Sequence, residues 1–315
     1  MSAHNRSTKA SQDSLLIWVE RIFNGVMALY LLAMLVVLPF YCTDGYTTIG
    51  TDKAMFFRRV TCVLGGGVLA LAVIYGLCLR IKKKAKWNFT KTDVFVLVYM
   101  GALSLSFLAS PYKEQCIWGA KGWFIGFLPQ AFVLLTYLVL SKLWKPSKWG
   151  FWIIFPVSFI VFVLGYLNRF GIYPIPMKLA SPSFISTIGN INWYCGYAVT
   201  VFFPGVFLYW RGAFSEKKWL QIFGSLYLFF GFATLVTQGS ASGLVTVFVA
   251  LLILMMRSGE DVGKLYRFWQ IVLHFGISCL VTCIFRSLFP EAMEFDDWYI
   301  SILTKGWFSI AVTVL

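Results

Sequence analysis

Three short polar stretches carry the residues best suited to chemistry: "KGWF" (Lys121–Phe124), "GNINW" (Gly189–Trp193) and "QGSASG" (Gln238–Gly243). Each stands at the mouth of a long apolar run. The N-terminus of a helix exposes N–H groups without intrahelical partners and a partial positive charge, so it suits an anion. Glycine lets a ligand approach the backbone. The side chains of Asn190, Asn192, Ser240 and Ser242 either cap the orphan N–H groups or donate to phosphate oxygens. Residue types alone leave two readings open: a polar pocket for an anionic ligand, or ordinary capping and tight packing by small residues. Asn190 and Asn192 are two apart, so a regular helix turns them about 200° away from each other. They can serve one ligand only if the helix begins between them. This reading predicts Asn192 as the cap and Asn190 in the preceding turn, beside Gly189.

The elements that must position these residues are membrane spans. The chain has 315 residues, 59% of them hydrophobic and 13% charged, where a soluble domain carries about 25% charged residues. A spanning helix needs about 17–25 apolar residues. The runs are Leu15–Phe40, Val60–Leu79, Val94–Ala109, Trp123–Leu140, Phe151–Leu167, Trp193–Trp210, Trp219–Thr237, Leu244–Met256 and Phe268–Phe285, with a tenth from near Trp307. The expected fold is all-α, a polytopic transmembrane bundle of about ten spans with the last cut off. Residues 1–13 form a polar leader and residues 14–315 the helical domain, read as the N-terminal part of a longer one. The first run is longer than a signal-peptide core, and no small-residue cleavage site follows it. It is long enough to tilt or bend. The eighth run is short, which predicts that the "QGSASG" turn dips below the membrane surface, where irregular backbone must be lined by protein or a polar cavity. The prolines at 174, 176 and 182 exclude a simple helix before "GNINW".

Lys and Arg fall on alternate loops with a two-to-one bias, which places the N-terminus in the cytoplasm and the three polar stretches at the outer face. Inner segments include Lys84 and Lys145; outer ones include Lys53, Arg58, Arg59, Lys178 and Asp297. The net charge of +14 is mostly this topology signal. "RIKKKAKWNFTK" lies between two spans, so it reads as a loop facing the membrane and not as a nucleic-acid patch. The seven cysteines show no CxxC. Cys279 and Cys283 share a helix face without His or carboxylate partners, which suits small buried residues better than a metal site. His274 is the main ionisable side chain within a span, and a structural hydrogen bond is expected of it. The dearth of buried charges disfavours ion-coupled transport. Glu291, Glu294, Asp296 and Asp297 could hold a divalent ion or act as a base, but they read better as an interfacial helix anchored by Trp298 and Tyr299.

"STIGNINWYCGY" (Ser186–Tyr197) resembles the "GT.GN.N" segment of the O-antigen ligase and O-antigen polymerase superfamily of bacterial membrane proteins. "LSLSFLASPYKEQCIWGAKGWFIGF" before it, and "GSLYLFFGFATLVTQGSASGLVTVFVALLIL" after it, follow the same order. The latter is similar to the family's "T.SRG" segment, and the resemblance covers Tyr46 to Met256. It implies transfer of a glycan from a polyprenyl-pyrophosphate carrier at the outer face of the cell membrane. The acceptor would be a glycan, lipid or protein, with membrane lipids around the bundle and with no nucleic acid, nucleotide sugar or metal cofactor. The outer helix ends would suit the pyrophosphate, and Asn190 and Asn192 the glycan hydroxyls.

The family's Arg in "SRG" is absent: Ala241, Ser242 and Gly243 stand there. Lys121, Arg169 or Arg286 would then supply the cation from other loops. The large outer loop that carries an essential basic or His residue in the family has no counterpart here, so the chain by itself is expected not to transfer glycan, and its catalytic residues are not assigned. A lipid-linked glycan flippase or exporter, or a non-catalytic subunit of an assembly complex, is the alternative. Cations lining a central membrane path would favour the exporter.

Overall fold

The computed structural model describes residues 3–83, 88–144, 152–181, 183–290 and 298–314. Lys84, Lys145, Pro182, Glu291, Glu294, Asp296 and Asp297 lie outside the described residues. Among the described residues, seven helices are long and apolar enough to cross a membrane: Ser14–Phe40, Ile49–Ile81, Lys91–Ala109, Ile191–Trp210, Lys218–Thr237, Ala241–Ser258 and Val262–Leu288. Two shorter apolar helices are Phe127–Lys142 and Ile154–Asn168. The chain is a multi-pass, all-α membrane protein, with one small β-hairpin among the described residues. Its contacts divide it into two units: Met1–Tyr41 with Gly50–Phe151, and Cys42–Ile49 with Trp152–Leu315.

In the first unit, α1 (Ala3–Leu32) runs into a π-helical turn, Ala33–Val37, and ends in a short turn, Leu38–Phe40, holding Pro39. The run thus holds the two features that commonly bend a helix, a π-bulge and a proline. Lys53 on α2 (Ile49–Val60) closes the helix end by donating to the carbonyls of Leu38, at 2.7 Å, and Pro39, at 3.0 Å. Lys53, Arg58 and Arg59 thus sit on helical turns and not in a loop, because α2 extends the apolar run backwards to Ile49. A second π turn, Thr61–Gly65, joins α2 to α3 (Gly66–Lys83). Helices α1 and α3 share a core of Leu16, Phe23, Met27, Tyr30, Val68, Ala72 and Tyr75.

Helix α4 (Lys91–Ala109) is inverted relative to a soluble helix: its only buried residue is Asp93. Asp93 closes a capping box with Thr90 and pairs with Lys142 at the end of α6 (Phe127–Lys142), the helix that follows the short α5 (Lys113–Trp118). Tyr137 donates to its other oxygen at 3.3 Å. In a bilayer the apolar faces turn outward to lipid, and polar side chains find their partners inside.

The second unit holds α7 (Ile154–Asn168), α8 (Ile191–Trp210), α9 (Lys218–Thr237), α10 (Ala241–Ser258) and α11 (Val262–Leu288), and the first three pack through rings against glycines. A Cβ at Gly165 would overlap Tyr194, one at Gly205 Tyr227, and one at Gly231 Phe202. Small residues let helices approach closely where lipid offers no hydrophobic drive, and here the space they leave is filled by aromatic faces. Helix α10 has 18 residues, where the sequence suggested a run of only Leu244–Met256. Hydropathy undercounts it because hydroxyls near its ends fold back on the helix: Thr246 donates to the carbonyl of Ser242 at 2.9 Å, and Ser258 to that of Leu254 at 2.6 Å. The helix is long enough to span, so shortness gives no reason for the preceding turn to dip.

Candidate functional site

The candidate site is a layer of buried polar side chains where α7 and α9 end and α8 and α10 begin. Helix α7 ends at Asn168, and Arg169 is its C-cap. Arg169 is 3% exposed and donates through Nη2 to the backbone carbonyl of Gln238, just past the end of α9. A guanidinium suits this place because it cannot lose its proton and its planar fork serves several acceptors at once. Gln238 is fully buried and donates to the carbonyl of Ser240 at 2.5 Å. Gly239, at φ +86°, makes the sharp turn between them. Ser240 Oγ lies 2.8 Å from Ser242 Oγ, and Ser242 Oγ lies 3.4 Å from Cys195 Sγ on α8.

The hairpin over this layer joins β1 (Phe184–Ile185) to β2 (Gly189–Asn190). Ser186, at φ +55°, is pinned from three sides. Its N–H donates to Asn168 Oδ1 at 2.7 Å, its hydroxyl to the carbonyl of Val161 at 3.0 Å, and its own carbonyl accepts from the Tyr46 hydroxyl at 2.8 Å. Burial, with a smaller contribution from Tyr173, holds the Tyr46 phenol above its usual range, while the charge of Arg169 acts the other way. Tyr46 is therefore a neutral donor at physiological pH. Gly189 is required by geometry: its φ is +106°, and a Cβ there would meet Ile49 Cγ2 at 2.9 Å.

Three buried polar atoms at and just below this end, Thr187 Oγ1, Gln238 Oε1 and Tyr197 OH, have no protein hydrogen-bond partner among the described residues. Such atoms are uncommon in folded proteins and call for a polar guest, whether water or ligand. Two of them are tied to the buried cation through the chain: Gln238 is the residue whose carbonyl Arg169 holds, and Thr187 follows the Ser186 that Asn168 pins, a combination suited to an anionic or hydroxyl-rich ligand.

The chain matches no protein-family model, no curated protein and no solved structure.

The sequence-derived candidates divide accordingly. Arg169, Gly189, Asn190, Ser240 and Ser242 belong to this layer or its rim. Arg286 lies near the end of α11 in the same unit, next to Phe285, whose ring packs 5.6 Å from that of Phe170, and donates to Thr304 Oγ1 at 3.0 Å. Lys121 belongs to the other unit, in a loop that precedes α6. "KGWF" does not start that helix: Gly119, Gly122 and Phe124 all have positive φ, and the helix begins at Phe127 after Gly126. His274 bonds to the carbonyl of Gln270 in its own helix at 2.6 Å.

The two asparagines exchange roles relative to expectation. The helix does begin between them, at Ile191, but Asn190 is the cap: its Oδ1 accepts from the Asn192 N–H at 2.9 Å. Asn192 lies in the first turn with its side chain exposed. The hairpin holds Asn190 at φ −51° and ψ 137°, outside the helix, which makes it the capping residue. Asn190→Ala is therefore expected to lower stability by about 1 kcal/mol, and Asn192→Ala to leave it nearly unchanged. Thermal melts of both variants in detergent check this, and equal melting of the two would remove the capping assignment.

Sequence reasoning missed Gln238 as a partner for Arg169, and missed Thr187 and Tyr197. "QGSASG" drew attention to that turn, but nothing in the sequence linked it to a residue 69 positions earlier.

Proposed function

We propose that this chain is a membrane glycan-transfer protein of the O-antigen ligase and polymerase type, with its buried polar layer receiving the pyrophosphate of a polyprenyl-linked glycan. The observation that carries the proposal is Arg169, a cation buried beside the "QGSASG" turn. It stands close to where the family pattern calls for an arginine that this turn lacks. Hydroxyls of Ser240 and Ser242 and the unpartnered atoms of Thr187 and Gln238 add donors and acceptors suited to a pyrophosphate and its first sugar. The two-to-one charge bias supports an outward placement of this end, where such a carrier presents its glycan after translocation.

A buried cation is also what a lipid-linked glycan exporter would use. Arg169 caps the end of its helix and is not placed halfway along it, which favours a surface site over a conducting path.

The test is binding of a short-chain polyprenyl pyrophosphate to the purified chain in nanodiscs, compared with the matching polyprenol. The expected result is clear preference for the pyrophosphate, reduced severalfold in Ser242→Ala. Equal affinity for both lipids would overturn the reading, because the headgroup would then contribute nothing.

A further inference from the structure

We propose that a groove in the first unit seats an anionic phospholipid of the surrounding bilayer, with its phosphate on Arg58 and Lys121 and one acyl chain running along α6. This proposal does not rest on glycan transfer. Two adjoining cavities of 190 and 380 Å³ share the side chains of Phe57, Phe124 and Pro129. The smaller cavity is lined by both Arg58 and Lys121, and the larger continues past Val133 and Leu134. Among the described residues, no acidic side chain lines either one.

The cationic end is built, not incidental. The Arg58 guanidinium lies 4.4 Å from the centre of the Trp118 ring, which restrains it while leaving its N–H edge available. Lys121 rides on a loop that closes tightly on itself: a Cβ at Gly119, whose φ is +92°, would meet the Ile125 N–H at 2.5 Å. The loop turns Trp123 and Ile125 outward, at 69% and 63% exposure, as expected of side chains at the interfacial level of a membrane. Further along, Tyr99 on the spanning helix α4 and Val133 on the shorter apolar helix α6 are exposed, so the groove opens toward lipid.

A ligand that satisfies both ends must carry negative charge at one and hydrocarbon at the other. Charge complementarity then selects among bilayer lipids. A zwitterionic headgroup brings its own cation to a mouth already holding two, whereas a phosphatidylglycerol headgroup brings only the phosphate. Each nearby Lys or Arg strengthens attraction to anionic lipid, and the effect falls off within a Debye length.

The experiment is native mass spectrometry of the full chain, equilibrated with an equal mixture of phosphatidylglycerol and phosphatidylcholine. The chain should retain phosphatidylglycerol about tenfold over phosphatidylcholine. R58Q/K121Q should abolish the preference, K218Q should keep it, and V133W should reduce retention of both lipids. Circular dichroism and a melting curve confirm that each variant is folded. Equal retention by the unmodified chain would overturn the proposal, as would a preference that survives in R58Q/K121Q. Displacement of phosphatidylglycerol by an equal concentration of polyprenyl phosphate would overturn it too, by assigning the groove to the carrier.

Discussion

Gly231→Leu is expected to destabilise the helical bundle severely, by about 3 kcal/mol, and to be partly rescued by a second substitution, Phe202→Ala. Gly231 sits in the buried part of α9, and a Cβ there falls inside the ring of Phe202. Phe202 cannot move aside. It is fully buried and packs against Phe162, Tyr227 and Phe232 with ring centroids 5.9, 5.8 and 4.9 Å away. Leucine improves helix propensity over glycine by about 1 kcal/mol, which is too little to offset overpacking against an immobile ring. Phe202→Ala alone removes a large buried side chain and costs about 3–5 kcal/mol. The double variant lets the leucine enter the space that the ring vacates, so its loss should be well below the sum of the two. A coupling of that sign is the mark of direct contact. Gly101→Leu is the control: no atom of the described residues lies within 4 Å of a Cβ at that position on α4, so the same change should be neutral or stabilising. Thermal melts of the four variants decide the matter, and additive losses for Gly231 and Phe202 would refute the contact.

Arg169→Met is expected to lose most affinity for a polyprenyl pyrophosphate and to lower stability by about 1–3 kcal/mol. The stability term comes from the buried carbonyl of Gln238, which loses its donor. The affinity term comes from the removed charge. Arg169→Lys separates them. Lysine keeps the charge as a point donor but loses the planar fork that serves several acceptors. Affinity should therefore rank Arg above Lys above Met, with the widest gap at Met. The readout is affinity per folded molecule, measured beside a melting curve. A Met variant that melts lower but binds as tightly as the unmodified chain would assign Arg169 a purely structural role.

What the sequence determined by itself is the class of protein and the placement of its helices. The free energy of moving an apolar side chain from water to lipid is local and roughly additive, so a run of about twenty such residues announces a helix wherever its partners lie. The nine runs each became a helix, and errors fell at the ends. Helix α2 starts at Ile49 because Lys53 and Arg58 find a carbonyl and a ring to lie against. Helix α10 extends over Ser242 and Ser258 because their hydroxyls find partners, Ser242 on the side chains of Ser240 and Cys195 and Ser258 on the helix backbone. Asn190 rather than Asn192 became the cap because the hairpin, invisible in an all-helical pattern, fixes where the chain enters the helix.

The tertiary structure alone decided which faces meet. Helices that are apolar all round show no stripe to mark an interior, so the sequence could not say that Gly231 faces Phe202, or that Asp93 is the one buried residue of α4. It also could not join Asp93 to Lys142, or Arg169 to the carbonyl of Gln238, because these partners lie 49 and 69 residues apart. Spacing within a helix obeys a fixed period. Spacing between helices depends on how whole surfaces pack, and the same polar residue pays a desolvation penalty that only a partner brought in by that packing can relieve. The composition of the chain therefore determines that charged groups inside it must be few and satisfied, and the assembled bundle determines which ones they are.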